Sequence, residues 1–400
     1  MAKILISFLG TSRPEIREYA PAKYRFDDGA IHETTFIAKA LAEHYRVDKI
    51  ILIGTAKSMW EEVYRVFAQE RQAKVDDIYF KIAEACDKAN HTTPPQVPCQ
   101  ADIEGALGNG SKVVLIKYGL NQEEIEYNSS QVLSIEDMLD KGDEVTVDIT
   151  HSFRSLPMIL MNTLIYLQNV SQKHIKIERI TYGMFEVTRE LGYTPVVDLS
   201  YLLKMNDWIS GAYAFSQFGH AEKIASLMED EDKDVAKRLS KFSDILSLNH
   251  IASIKGMTQE LQGIKSKSYR TKMPGMVVNP TVGDFVKRFS TARSQSAFQY
   301  RLAQWQYEHH NYCSAYLTLQ EAIVTYYCEQ EGLDSDNYDA REQAKEKLNN
   351  KKATDPLTRI YRSVKKTRNG LAHSLENDQN YKHMVNNLRD NLAKLNNIIQ

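Results

Sequence analysis

Short runs of apolar residues recur along the first 200 residues, and each run ends at a glycine or a polar residue. Runs of this length that are rich in β-branched residues predict buried β-strands. The predicted strands are Ile4–Leu9, Lys49–Ile53, Lys112–Lys117, Glu144–Thr150 and Ile175–Tyr182. Helical spacing of apolar residues predicts helices between them at Glu33–His44, Ser58–Glu84, Glu123–Leu139 and Leu156–Val170. Continuous apolar strands separated by helices are typical of a parallel sheet covered on both faces. We therefore predict a Rossmann-like α/β domain over residues 1–198.

From residue 199 onward the strand pattern disappears and apolar residues recur at helical spacing. The predicted helices are Tyr201–Met228, Asp234–Ser247, Thr281–His309, Tyr312–Glu331, Arg341–Asn350, Asp355–Gly370 and Tyr381–Ile399. Two prolines and a glycine in Met273–Pro280 predict a loop. The second prediction is therefore an all-α domain over residues 199–400.

The charge differs between the two halves, although the net charge of the 400 residues is only -2. Residues 1–200 hold 22 basic and 29 acidic residues, whereas residues 201–400 hold 28 and 23. A near-neutral total argues against a protein that coats nucleic acid with its whole surface. Charge alone leaves open whether the difference is functional or only two differently solvated surfaces.

The cysteines and the apolar segments limit the class of protein. None of the four cysteines forms a C-x-x-C pair, so we expect reduced thiols and no metal site. The first residues do not form a signal peptide, and the longest apolar stretch, Met158–Leu167, is too short to span a membrane. A cytoplasmic protein without a membrane partner is expected. The absence of G-x-G-x-x-G and of a P-loop lysine motif counts against a dinucleotide dehydrogenase or an NTPase.

Glycine, hydroxyl and aromatic residues follow the predicted strands. They are Gly10-Thr11-Ser12, Gly54-Thr55, Tyr118-Gly119 and Thr150-His151-Ser152. Parallel sheets bind ligands at the carboxyl ends of their strands, where such residues contact nucleotides or phosphates. The alternative is that they are ordinary turn residues.

The segment from Asp148 to Pro157 joins a strand end to a predicted helix. Ser155 is expected to cap that helix, and Pro157 suits its first turn. His151, Ser152 and Arg154 would then lie at a helix N-terminus, where anions bind. The alternative is a structural turn, with Asp148 as its cap and Arg154 paired with a carboxylate.

A second candidate is the segment Arg368-Asn369-Gly370-Leu371-Ala372-His373. Arg368 and His373 lie about 140° apart on a helix, so they meet at one phosphate only if the helix opens near Gly370 or a second copy contributes. Residues 341–368 contain ten basic and three acidic residues, which suits a phosphate backbone. The alternative is a solvated basic helix that ends near Gly370.

These segments resemble the CRISPR-associated accessory ribonucleases of type III systems, which join a CARF domain to a HEPN domain. Residues 4–12, 24–29, 148–157 and 180–183 resemble the CARF half, with Ser152 where many relatives have glycine. Residues 368–373 resemble the HEPN motif R-x4-6-H. Residues of about 230–300 match poorly and are expected to be a family-specific insertion.

The resemblance implies an activator, a substrate and roles for the residues. A CARF dimer would bind cyclic oligoadenylate, with cyclic tetra-adenylate the commoner ring. The residues expected to contact the ring are Gly10, Thr11, Ser12, Thr55, Thr150, His151, Ser152 and Arg154. A homodimer or higher oligomer would then cleave single-stranded RNA without a metal or another cofactor. His373 would be the acid or base, Arg368 the transition-state stabiliser and Asn369 an orienting group. The alternatives are a non-catalytic sensor and a CARF domain that degrades its own activator.

Overall fold

The computed structural model describes residues 1–11, 19–69, 76–151, 153–264, 266–352, 354–372 and 380–399. The chain divides into two compact units, residues Met1–Lys204 and Met205–Gln400.

The first unit is built around a sheet that has eight strands within the described residues. They are β1 (Lys3–Phe8), β2 (Ala22–Arg25), β3 (Ile31–Thr34), β4 (Lys49–Gly54), β5 (Lys112–Leu115), β6 (Glu144–Asp148), β7 (Lys176–Gly183) and β8 (Thr194–Asp198). Their order across the sheet is β3-β2-β8-β7-β6-β1-β4-β5.

The predicted parallel sheet is confirmed for β7, β6, β1, β4 and β5, which are all parallel to their neighbours in this group. The other edge of the sheet is not purely parallel, because β8 runs antiparallel to β7 and β3 antiparallel to β2. Strands β2, β3 and β8 were not predicted from the sequence. The strands β2 and β3 are short and expose alternate residues, so neither forms the apolar run that identified the central strands.

Helices cover both faces of this sheet. They are α1 (Ile37–Tyr45), α2 (Trp60–Gln69), α3 (Asp76–Lys88), α4 (Gln100–Leu107), α5 (Gln122–Leu133), α6 (Leu156–Asn169) and the short α7 (Thr188–Leu191). A 3₁₀ helix, Ser134–Met138, follows α5. The predicted helix at Glu33–His44 begins later than expected because residues 31–34 pair as β3. The predicted helix at Ser58–Glu84 is two helices, α2 and α3, and residues 70–75 between them lie outside the described residues.

Side chains that alternate along the central strands supply two hydrophobic cores. Leu5 and Leu52 face the core that contains Trp60 of α2, and these three residues have no exposed surface. Ile4 and Val147 face the other core, which contains Leu164 of α6. Burial on both faces explains why the central strands are apolar throughout.

The second unit is helical throughout the part that the structure describes. Its helices are α8 (Tyr201–Phe218, which begins in the first unit), α9 (Glu222–Met228), α10 (Lys233–Ser247), α11 (Ile251–Gln262), α12 (Lys272–Ser290), α13 (Gln295–Glu308), α14 (Tyr312–Gln330), α15 (Tyr338–Asn350), α16 (Pro356–Ala372) and α17 (Tyr381–Ile399). The predicted helix at Tyr201–Met228 is interrupted at Gly219, whose φ of +74° ends α8. The predicted helix at Thr281–His309 is interrupted between α12 and α13.

The loop predicted at Met273–Pro280 is wrong, because these residues belong to α12. Pro274 lies in the first turn, where the missing amide costs no helical hydrogen bond. Pro280 lies inside the helix, where a proline is unfavourable. The helix nevertheless forms because Val278, Val282 and Phe285 are buried in the core of the second unit. Tertiary packing therefore outweighs the local cost of Pro280.

No helix in the described part of the chain is long and apolar enough to cross a membrane.

Candidate functional site

A cavity of about 440 Å³ lies at the carboxyl ends of β1, β4 and β6 in the first unit. Five of the residues predicted to bind ligand line it together: Gly10, Thr11, Thr55, Thr150 and His151. They come from three separate stretches of the chain, which the parallel strands bring to the same edge of the sheet. None of the described residues that line the cavity carries an acidic or a lysine or arginine side chain. The cavity therefore offers hydroxyl, backbone and aromatic contacts.

The turn after β4 is held by a network around Ser58. The hydroxyl of Ser58 donates to the Leu9 carbonyl at 3.0 Å and accepts the Thr55 amide at 3.0 Å. The indole of Trp60 donates to the Thr55 carbonyl at 2.8 Å. A side chain at Gly54 would put its Cβ 2.7 Å from the Trp60 ring, so glycine is needed here for close packing. This network joins the ends of β1 and β4 beneath the cavity.

The turn after β6 is anchored on Asp148, a carboxylate with no exposed surface. The Ser7 hydroxyl donates to its Oδ2 at 2.6 Å, and the Thr150 amide and hydroxyl both donate to its Oδ1. The Thr150 hydroxyl in turn accepts the Gly183 amide at 2.7 Å. Asp148 thus fixes Thr150 at the cavity wall and joins it to the end of β7.

Burial raises the pKa of Asp148 to about 6, although its three hydrogen bonds act in the opposite direction. Burial, and then the nearby Asp148, raise the pKa of the Tyr24 phenol as well. The Tyr24 hydroxyl is buried and has no hydrogen-bond partner among the described residues. Asp148 therefore lies behind the cavity wall and holds the turn after β6.

Burial lowers the pKa of His151 to about 4, so its imidazole is neutral near pH 7. Its ring centroid lies 5.2 Å from that of Phe185, which also lines the cavity. A second pair of rings, Tyr118 and Phe153, has centroids 5.3 Å apart, and Phe153 is 37% exposed. The neutral imidazole can donate or accept one hydrogen bond to a ligand, and the exposed ring can stack on a planar base.

Three of the predicted ligand residues are not placed in the cavity wall. Arg154 is exposed and does not line the cavity. Ser12 and Ser152 lie outside the described residues. Ser155 precedes α6, but its side chain does not cap the helix, so that expectation is wrong. Pro157 does lie in the first turn of α6, as predicted.

Two cavity residues that the sequence analysis missed are tied to buried carboxylates of α2. The Tyr19 hydroxyl donates to Glu61 at 2.7 Å, and the Thr35 hydroxyl donates to Glu62 at 2.6 Å. Arg65 also pairs with Glu62. Both residues belong to the part of the chain around β2 and β3, for which no strand was predicted. Neither carries a motif that would have identified it.

The second candidate site lies on α16 in the helical unit. Arg368 is partly exposed, and its Nη1 donates to Asn369 Oδ1 at 3.2 Å. The helix continues through Gly370 to Ala372, so it does not open at that glycine. His373 lies outside the described residues. Arg368 and Asn369 therefore share one turn at the end of a basic helix.

Family models match both units of the chain. Residues 4–186 match the model for the CARF domain of the CRISPR system endoribonuclease Csx1. The first unit of this chain is therefore a CARF domain. Residues 204–296 match the model for the second domain of the CRISPR-associated protein MJ1674. The resemblance seen in residues 4–12, 24–29, 148–157 and 180–183 is thereby confirmed for the CARF domain.

Two individual proteins align with most or all of the chain. The CRISPR-associated protein MJ1674 of Methanocaldococcus jannaschii is 31% identical over 406 residues, which cover 94% of this chain and 62% of MJ1674. The chain thus spans about three fifths of that relative. A structure of Enterococcus italicus Csm6 bound to cyclic hexa-2'-fluoro-hexa-dAMP aligns with 100% of this chain and 94% of its own. Its sequence identity is 12% and its TM-score 0.40.

Proposed function

We propose that this protein is a single-stranded RNA endoribonuclease of type III CRISPR defence that cyclic oligoadenylate activates. The observation that carries the proposal is the cavity in the CARF domain, where Thr11, Thr150 and His151 meet at the carboxyl ends of the strands. Such strand ends are where open α/β sheets bind nucleotides.

The chemistry of the cavity suits adenosine units. Hydroxyl groups and the neutral His151 can bond to ribose and base edges, and the Phe153 ring can stack on adenine. None of the described residues of the cavity wall is a lysine or an arginine, so the phosphates would lie towards the rim, near Arg154 and the N-terminus of α6. The remaining members of the proposed contact set are Gly10, Ser12, Thr55 and Ser152. Cyclic tetra-adenylate is the ring we expect.

The proposed RNase site is the HEPN motif at Arg368, Asn369 and His373. The RNA 2′-hydroxyl oxygen attacks the adjacent phosphorus, the bond from phosphorus to the 5′-oxygen breaks, and a 2′,3′-cyclic phosphate remains. His373 would transfer the proton, and Arg368 would stabilise the charge that develops on the phosphate. Asn369 would orient the phosphate. No metal takes part in this scheme.

A homodimer would supply two copies of the motif. On a continuous helix Arg368 and position 373 lie about 140° apart, and α16 is continuous to Ala372. Two chains that meet at this helix end would bring arginine and histidine of both copies to one phosphate. Cyclic oligoadenylate would bind the active arrangement of the dimer more tightly than the inactive one. Its binding would therefore shift the population of dimers towards the active arrangement.

The test is an RNase assay of the purified chain with cyclic oligoadenylates of each ring size, with and without EDTA. The proposal predicts cleavage that needs one ring size, resists EDTA and leaves a 2′,3′-cyclic phosphate. His373→Ala should abolish the cleavage, whereas Lys237→Ala, at an exposed position on α10, should not change it. Ring binding without cleavage would show a non-catalytic sensor, and conversion of the ring to a linear product would show an activator-degrading CARF domain.

A further inference from the structure

A polar groove between α16 and α17 lies along the N-terminal half of α16, more than one turn before the proposed RNase motif. It encloses about 460 Å³, and both of its walls are helix faces of the second unit. Ser363, Asn387 and Asn391 form its floor, where both amides donate to the Ser363 hydroxyl at 2.9 and 3.0 Å. Ile360 and Ile398 provide apolar surface beside these groups. The groove thus combines groups that bond to base edges with surfaces that pack against base faces.

Two cations, Arg359 and Lys394, stand on opposite walls of this groove. Both are exposed, and neither forms an ion pair with another described residue. The acidic residue of the groove, Asp390, is already paired with Arg389 at 3.3 Å. By contrast, Arg362 on the same helix is used internally, because it donates to the Asn349 and Lys351 carbonyls. The two groove cations are therefore not held in ion pairs, although the Asp355 carboxylate lies close enough to interact with the charge of Arg359.

The charge of α16 and α17 indicates which class of ligand the groove binds. The sequences of α16 and α17 contain eight basic residues and one acidic residue. If the groove itself were a two-fold dimer contact, it would face its own copy, and the positive charge on both sides would oppose that contact. A polyanion with planar bases matches the charge and the polar floor together.

We infer that this groove binds single-stranded RNA on its way to the cleavage site, an inference that rests on the proposed function. Arg359 and Lys394 would each contact a phosphate, and the Asn387–Asn391–Ser363 floor would contact a base. Ser363 precedes Arg368 by five residues of the same helix, a rise of about 7.5 Å. Arg368 lies about 140° around α16 from Ser363, so RNA held in the groove would pass around the edge of this helix to reach the motif.

The experiment measures binding separately from cleavage. The probe is a fluorescent 12-nucleotide RNA with 2′-O-methyl groups, which has no 2′-hydroxyl to attack the phosphate. Its affinity for the full chain is measured by polarisation between 50 and 200 mM salt. The Arg359→Gln/Lys394→Gln double variant is compared with Lys237→Gln, which removes an exposed cation from α10, outside the groove.

Loss of two phosphate contacts should weaken binding about 10- to 25-fold at 0.1 M salt and make the slope of log affinity against log salt shallower by about 1.4. Lys237→Gln should change neither quantity. The inference is overturned if the double variant binds the probe with the same affinity as Lys237→Gln. This also holds if sedimentation shows that the double variant differs only in its oligomeric state. If the double variant loses binding but no ring elicits cleavage of ordinary RNA, the groove stands and the proposed RNase function fails.

Discussion

The hydroxyl of Thr150 donates a hydrogen bond to Asp148, a carboxylate that is fully buried beneath the cavity of the CARF domain. The same hydroxyl accepts the Gly183 amide, so one side chain joins the ends of β6 and β7. A residue expected to contact the ligand is therefore also part of the support of the cavity wall.

Thr150→Val should destabilise the CARF domain by about 1–3 kcal/mol, because it leaves the Gly183 amide without its acceptor and removes one of the three hydrogen bonds to Asp148. It should also weaken binding of cyclic oligoadenylate. Thr150→Ser keeps the hydroxyl and should restore most of both properties. Thermal unfolding and a ring-binding titration measure the two effects, and equal stability of the valine and serine variants would contradict the assignment.

Asp148→Asn should change how stability depends on pH. Between about pH 4 and 6 the unfolded chain releases this proton while the folded chain keeps it, because the folded pKa is raised to about 6. The wild type therefore loses stability from this group as the pH rises, by up to about 3 kcal/mol for a shift of two units. The variant lacks this loss, so its stability relative to the wild type should increase from pH 4 to pH 7.

His151→Gln should change the pH dependence in the opposite direction. The folded pKa of His151 is lowered to about 4, so between about pH 4 and 6.5 the unfolded chain holds the extra proton and folding gains stability as the pH rises. The glutamine variant should therefore lose stability relative to the wild type as the pH rises. Melting curves of the three proteins from pH 4 to 7 test both signs, and three parallel curves would refute them.

Gly54→Ala should destabilise the cavity floor by about 1–3 kcal/mol, because its Cβ would lie 2.7 Å from the Trp60 ring and 2.8 Å from Ser58 Oγ. Gly105→Ala is the matched control, since a Cβ there meets no heavy atom within 4 Å and alanine favours α4 by up to about 1 kcal/mol. In chemical denaturation the midpoint should therefore be lower than that of the wild type for Gly54→Ala and higher for Gly105→Ala. Similar midpoints would show that the close packing at Gly54 is unimportant.

Arg368→Lys should slow RNA cleavage by about 10²–10³-fold, because lysine keeps the charge but loses the planar pair of donors that fits a phosphate. Binding of the cyclic oligoadenylate should not change, since the ring site lies in the other unit. Single-turnover cleavage at saturating activator provides the measurement. Cleavage at the wild-type rate would exclude Arg368 from transition-state stabilisation.

The local pattern identified the elements whose burial requires a clear pattern of apolar residues in the sequence. The central strands are apolar throughout because both faces of the sheet are covered, and β1, β4, β5, β6 and β7 were found within a few residues. The hairpin of β2 and β3 was missed because its short strands pair at an edge and expose alternate residues. In Met273–Pro280 the local signal was misleading, because packing of Val278 and Val282 stabilises a helix that Pro280 disfavours.

The sequence by itself determined the class of fold and the strand ends at which Gly10, Thr11, Thr55, Thr150 and His151 lie. These strand ends lie at one edge of the sheet once parallel pairing is assumed, whereas the order of the strands was not predicted. Only the tertiary structure decided that Arg154 lies outside the cavity wall and that Tyr19 and Thr35 belong to it. Those positions depend on contacts between residues far apart in the chain, such as Tyr19 with Glu61, and no local spacing encodes them.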